Sequence, residues 1–333
     1  MGADDATTAT TQPTQRSDEV DDHDATNAYQ ALAETLHGDE DRWAFGAGFD
    51  AGFDAGTAEI DAPAPEGVDR DDLATYCLML ADDALVASQR LGEWATNAPE
   101  LEEEVALANI ALDLLGQARV LLARAGHLGA AQRFRTASLA AALPDEDVLA
   151  YFRDERGFRN VVLAEADLGD FGRTMAWVLV FSSWRLALMT RLVGSRDQVV
   201  AAVAEKAVKE LAYQREYAAQ WVVRLGDGTE YSHERMQAGL DGVWPFVEEL
   251  FIAHPLEMRL VEAGVAVDPA ELRGELDAVL DQVLPPAQLA RPEKAAVGLV
   301  ARRGGRDGVH TEALGPVLAV MQSLARGHPE ATW

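Results

Sequence analysis

Apolar side chains recur every three or four residues from Leu73 onward, a period that predicts helix rather than strand. In Asp71–Trp94 they fall at Leu73, Tyr76, Cys77, Leu80, Ala84, Ala87, Leu91 and Trp94, one stripe of an amphipathic helix. A second helix is expected to start at Pro99, where the missing N–H costs nothing. Glu100, Glu102, Glu103 and Glu104 then favour its N-terminal dipole. It continues through Val105, Ala108, Leu112, Leu115 and Leu122 to Gly126. The link Ala95–Ala98 is short, so this hairpin, Leu73–Arg124, must pair its helices antiparallel. Phe171–Val193 is apolar nearly all round, with no polar side chain in Met175–Phe181 and Arg185 as its interruption; such a helix belongs at the centre of a bundle. Ser195–Leu225 is the next long helix. Gly226-Asp-Gly228 stops it, and Thr229 or Ser232 can cap another helix reaching about Ala253. Shorter helices are expected around Pro144 within His127–Glu155, and further ones at Pro269–Val283 and His310–Arg326. Strand patterns are lacking. The expected fold is all-α, a four-helix bundle with additional C-terminal helices.

The first part of the chain reads differently. Residues 1–27 are Asp, Thr, Ala and Gln with hardly any large apolar side chain, and cannot offset their ordering entropy by burial. Residues 28–44 fit one short helix. Gly48-Phe-Asp-Ala-Gly-Phe-Asp-Ala-Gly56 follows no strand, which argues for a linker over a phosphate loop. Ala62-Pro-Ala-Pro65 closes the segment. An acidic, largely disordered extension over 1–66 and a helical domain over 67–333 are therefore expected.

Charge narrows the partners. The formal net charge is −28, and only Lys206, Lys209 and Lys294 are lysine. Phosphate binding needs a basic footprint, so nucleic acid is excluded as a partner. Residues 1–72 hold 19 acidic and 3 basic side chains, and the rest hold 37 and 25. Acidity spread over both parts, with little lysine, points to a protein adapted to high salt. No secretory signal pattern and no membrane span of about 20 apolar residues are read from the sequence. The single cysteine, Cys77, lies on an apolar helix face, where it reads as a small buried hydrophobe. The expected location is the cytoplasm.

Four long helices of this kind form the ferritin-like layout that holds two irons, with a Glu on each of two helices and a Glu-x-x-His on each of the others. Here the second helix offers Asp113-Leu-Leu-Gly116 and the fourth Glu210-Leu-Ala-Tyr213, neither with histidine. Two Glu-x-x-His matches, Glu34–His37 and Glu230–His233, fall outside any bundle core, and Asp227-Gly-Thr-Glu230 reads as a helix–helix turn rather than a calcium loop. On the fourth helix Val203, Ala207, Glu210, Gln214, Tyr217 and Trp221 share a face. The residues expected at the vestigial site are Asp82, Asp83, Asp113, Ser182, Glu210 and Gln214, carboxylates without imidazole and poorly suited to iron. No catalytic, cofactor-binding or metal-binding residue is assigned. Buried carboxylates must be paired or protonated, and Arg185, Lys206 and Arg90 are the candidate cations. Trp244, Phe246, Phe251 and Trp333 are candidate partner anchors, with core burial the competing role.

Several stretches carry a family resemblance. Leu80-Ala-Asp-Asp-Ala-Leu-Val-Ala-Ser-Gln-Arg-Leu-Gly-Glu-Trp94 and Ala98-Pro-Glu-Leu-Glu-Glu-Glu-Val-Ala-Leu-Ala-Asn-Ile-Ala-Leu-Asp-Leu-Leu-Gly-Gln-Ala-Arg119 resemble the PaaC-type structural subunit of ring-1,2-phenylacetyl-CoA epoxidase. So do Phe158-Arg-Asn160, Gly169-Asp-Phe171, Trp221 to Glu230, Thr311-Glu-Ala-Leu-Gly315 and the terminal Ala331-Thr-Trp333. The resemblance spans about residues 70–333. It implies a ferritin-like fold without a working di-iron centre in this chain. It also implies a PaaA-type catalytic subunit that carries the di-iron centre and binds the CoA thioester, and an iron–sulfur flavoprotein reductase that passes electrons from NADPH. The chain would be the non-catalytic half of a hetero-oligomeric monooxygenase in phenylacetate breakdown. The alternative is a di-iron oxygenase or oxidase subunit in its own right, with atypical ligands.

Overall fold

The described helices all lie within one compact unit, Phe53–Trp333. A computed structural model describes residues 1–2, 60–135, 143–293 and 304–331. The expected helix at 28–44, the linker repeat, the Glu34–His37 pair and Trp333 lie outside the described residues.

Four long helices form the bundle: α1 (Arg70–Ala95), α2 (Leu101–His127), α5 (Phe171–Leu192) and α6 (Gln198–Gly226). Between the two pairs lie the short α3 (Asp145–Tyr151) and α4 (Val162–Glu165). After the bundle come α7 (Glu230–Val243), α8 (Pro255–Glu262), α9 (Arg273–Val283) and α10 (Leu314–Gly327). There is no strand among the described residues.

Sequence explains most of the boundaries. Asp69, Asp170 and Asp197 cap α1, α5 and α6, each accepting a hydrogen bond from a first-turn amide. Thr229 does the same for α7. α2 begins at Leu101, so Pro99 precedes its cap instead of opening the helix. α7 stops at Val243, ten residues short of the expected Ala253, and two 3₁₀ turns, Trp244–Phe246 and Glu248–Phe251, follow. Pro245 has no N–H to continue the α ladder. Likewise Pro269–Leu272 is a 3₁₀ turn that leads into α9. α5 crosses α7 closely: a Cβ on Gly239 would come within 2.6 Å of the Arg173 backbone nitrogen.

α5 is buried continuously from Thr174 to Met189, as its composition predicts. α1 departs from its single-stripe pattern and is buried on every side from Tyr76 to Ser88. Two segments cover the face that periodicity leaves polar: residues 153–162 and a strap over 304–313. Cys77 is buried, and burial pushes its thiol up. Trp244 and Phe246 are half-buried against the core and Phe251 is buried, so they pack within their own chain. α2 is long and apolar enough to cross a membrane by length and composition, although half of its most apolar stretch is buried in the bundle.

Candidate functional site

At mid-height the four bundle helices contribute one polar side chain each. Asp83 comes from α1, Gln117 from α2, Arg185 from α5 and Glu210 from α6. The Arg185 guanidinium is the hub: Nε donates to Gln117 Oε1 at 3.0 Å and Nη2 to the Leu80 carbonyl at 3.1 Å. Its Nη1 lies 3.9 Å from Asp83 Oδ2. Gln117 passes the connection on, its Nε2 donating to Glu210 Oε2 at 3.0 Å. Glu210 is also 3.7 Å from the Lys206 ammonium. Arg185 is fully buried, and burial lowers its pKa to about 10 against the pull of Asp83. It remains charged at neutral pH.

Of the six residues expected here, Asp83 and Glu210 join this relay. Asp113 and Gln214 form a satellite pair, the Gln214 amide donating to Asp113 at 3.3 Å. Ser182 takes no part, because its hydroxyl donates to the Val178 carbonyl of its own helix at 2.6 Å. Asp82 is buried but faces away from Asp83, since neighbouring positions on a helix diverge by about 100°. Of the candidate cations, Arg185 lies 3.9 Å from Asp83 and Lys206 3.7 Å from Glu210. Arg90 instead donates to the carbonyls of Glu165 and Ala313 and pairs with Glu93 at the helix end.

The strongest cations at α1 were not among the candidates. Arg153 makes a two-pronged contact to Asp82, at 2.5 and 2.9 Å, with both side chains fully buried. The Arg159 amide adds a third bond at 2.8 Å. Arg306 makes the equivalent contact to Asp83, both prongs at 2.9 Å, and the Val161 amide adds one at 2.7 Å. Burial pushes the Asp83 carboxyl up, while Arg306, Arg185 and the Val161 amide hold it down. Arg306 also donates to the carbonyls of Met79 and Arg159. Its long sequence distance from α1 hid the pairing. The local signal was Gly304-Gly305, since a Cβ on Gly305 would collide with the Asn160 carbonyl oxygen.

Two further buried carboxylates hold the strap. Glu249 accepts from the amides of Val162 (2.8 Å) and Gly305 (3.2 Å), and burial pushes it up to about 7. Glu165 accepts from Thr311 through both its amide and its hydroxyl, from Asn160, and from His310 Nδ1 at 2.8 Å. Burial works against the charged imidazolium, but the Glu165 carboxylate prevails and the His310 pKa is raised. His233, of the Glu230–His233 match, contacts the Gly226 carbonyl at 2.7 Å in the α6–α7 turn. Among the described residues no three His, Cys, Asp or Glu side chains converge as metal ligands would.

The same architecture and motif order define a known group. A family model described as phenylacetic acid catabolic protein matches residues 58–333. The chain belongs to that family. Within the phenylacetic acid catabolic proteins it is similar to the C component of the multi-subunit 1,2-phenylacetyl-CoA epoxidase of Escherichia coli (strain K12). The two are 44% identical over 263 residues, which is 79% of this chain and all of that protein. The match begins near where the described helical unit begins, and the acidic residues before 58 lie outside the family model. In fold terms this is the ferritin-like helical bundle of the family.

The carboxylate pairs can be tested through stability. Arg306→Leu strips buried Asp83 of its two-pronged partner, leaving it the Val161 amide and the more distant Arg185, and unfolding in denaturant should show a loss of about 3 kcal/mol. Adding Asp83→Asn should restore part of it, whereas strictly additive losses would sink the pairing argument. For His310 the sign follows from its raised pKa. The contribution is full below the unfolded value of about 6.5 and is lost as pH rises through the folded value. The stability gap between wild type and His310→Gln should therefore narrow as pH rises above about 6.5, the unfolded value. A gap that stays constant would remove the charged His310–Glu165 contact from the account.

Proposed function

We propose that this chain is a non-catalytic structural subunit of a multicomponent 1,2-phenylacetyl-CoA epoxidase. In this reading it supports a PaaA-type subunit that carries the di-iron centre, and a separate reductase supplies electrons. One observation carries the proposal: a guanidinium, Arg185, occupies the middle of the four-helix bundle, hydrogen-bonded to Gln117 and facing Asp83. A cation fixed at that point repels divalent iron, and among the described residues no imidazole joins carboxylates there as a ligand set would. The residues present therefore do not fit a di-iron ligand set, and no oxygen chemistry is derived from this chain. Two facts favour this reading over that of an independent oxygenase. The similar protein is named as one subunit of an epoxidase, and the polar groups at the bundle centre are engaged with one another rather than open to a substrate. The cavity between Trp184, Glu249, Glu257 and Arg306 has room for about one water, about 10 Å³.

The reading extends to a cytoplasmic protein of a high-salt organism, supported by the charge of −28 and by three lysines among 28 basic residues.

Metal analysis of the purified full-length chain should find essentially no iron, and co-expression with its organism's own A-type subunit should yield a stable complex. About two irons per chain would overturn the structural-subunit reading. For the salt reading, the thermal midpoint should climb as KCl is raised from about 0.1 M to about 3 M, because screening relieves carboxylate repulsion. A flat or falling midpoint would refute it.

A further inference from the structure

α2 carries more apolar surface than its own bundle uses. Its inner face, with Leu107, Ile110, Leu114 and Leu121, is buried. Its outer face repeats apolar residues at Leu101, Val105, Ala108, Leu112 and Leu115, alternating steps of four and three. That is the a/d spacing of a helix seam. Leu101 is 69% exposed, Leu112 46% and Leu115 39%, while Val105 and Ala108 are half-buried. Scattered exposed leucines need no explanation; a continuous row over four turns of one helix does. Tyr213 of α6, 48% exposed, stands next to Asp113 and widens the row on one side.

We propose that this row is the seam on which a helix of a different subunit docks, and that the docking helix presents basic residues along its edges. The proposal rests on the assembly role given above and assigns the surface that performs it. Charge selects the occupant. Glu100, Glu102 and Glu104 rim the N-terminal end of the row and Asp113 lies beside its middle. Arg119 at the far end already interacts with Asp147 of α3. Two copies of this chain packed antiparallel would oppose six glutamates with two arginines, leaving carboxylates uncompensated in a desolvating interface. A segment from the chain's own residues 1–59, with 14 acidic and 2 basic side chains, would meet the same repulsion. An apolar helix with basic flanks fills the seam and neutralises its rim.

The test uses the full-length chain co-expressed with its organism's A-type subunit. The double variant Leu112→Glu/Leu115→Glu alters only exposed positions. It should keep the wild-type circular dichroism and thermal midpoint, yet bind the A-type subunit at least about 30-fold more weakly, as loss of a seam centre does. Val320→Glu/Leu324→Glu, equally exposed on α10, should bind as wild type does. A seam variant that binds with wild-type affinity overturns this proposal and leaves the assembly role standing. A wild-type chain that forms no complex at all overturns the assembly role and the seam together. A wild-type homodimer that dissociates in the seam variant overturns the choice of a different subunit.

Discussion

Two adjacent carboxylates at the middle of α1, Asp82 and Asp83, set the terms for the rest of the molecule. Both are fully buried, and an unpaired buried carboxylate costs several kcal/mol. Each therefore recruits an arginine in two-pronged contact and a backbone amide. Asp82 takes Arg153 and the Arg159 amide; Asp83 takes Arg306 and the Val161 amide. Those partners come from segments outside the four-helix bundle. Neutralising α1 thus decides where residues 153–162 and the strap over 304–313 must lie. Glu249 and Glu165 then fasten the same strap by its amides, Thr311 and His310. The fold around α1 is ordered by charge as much as by apolar burial.

The helices were legible because their signal is local. Three- and four-residue spacing gave α1, α2, α5 and α6, and aspartates just before α1, α5 and α6 cap them. That neither Asp113-Leu-Leu-Gly116 nor Glu210-Leu-Ala-Tyr213 ends in histidine is likewise read directly from the sequence. The pairing of charges is not. Arg90 sits on α1 itself, eight residues from Asp82, yet it serves the carbonyls of Glu165 and Ala313. Arg306 lies more than 220 residues from Asp83 and is its direct partner. Spacing along a helix says which face a residue occupies but nothing of which distant segment covers that face. For the same reason α1 read as one-sided although it is buried all round. Ser182 shows the opposite limit: it is buried, but its hydroxyl is committed to the Val178 carbonyl of its own helix.

A guanidinium and a metal solve the same electrostatic problem with different consequences. Both set positive charge among carboxylates at the centre of a bundle. A metal must be acquired, so a bundle that depends on one has its stability linked to metal supply. Arg185 and Arg306 belong to the chain, so their charge is present whenever the chain folds. They also fix geometry: Arg185 ties α5 to α2 through Gln117 and to α1 through the Leu80 carbonyl. Under the proposed role this difference is useful. A protein whose task is to present a constant surface gains from a core that needs no loading step. The relay Asp83–Arg185–Gln117–Glu210 then ends at α6 beside Lys206, close to the Asp113–Gln214 pair and the exposed Tyr213. The polar centre of the bundle is thereby connected to the α2–α6 edge next to the apolar row.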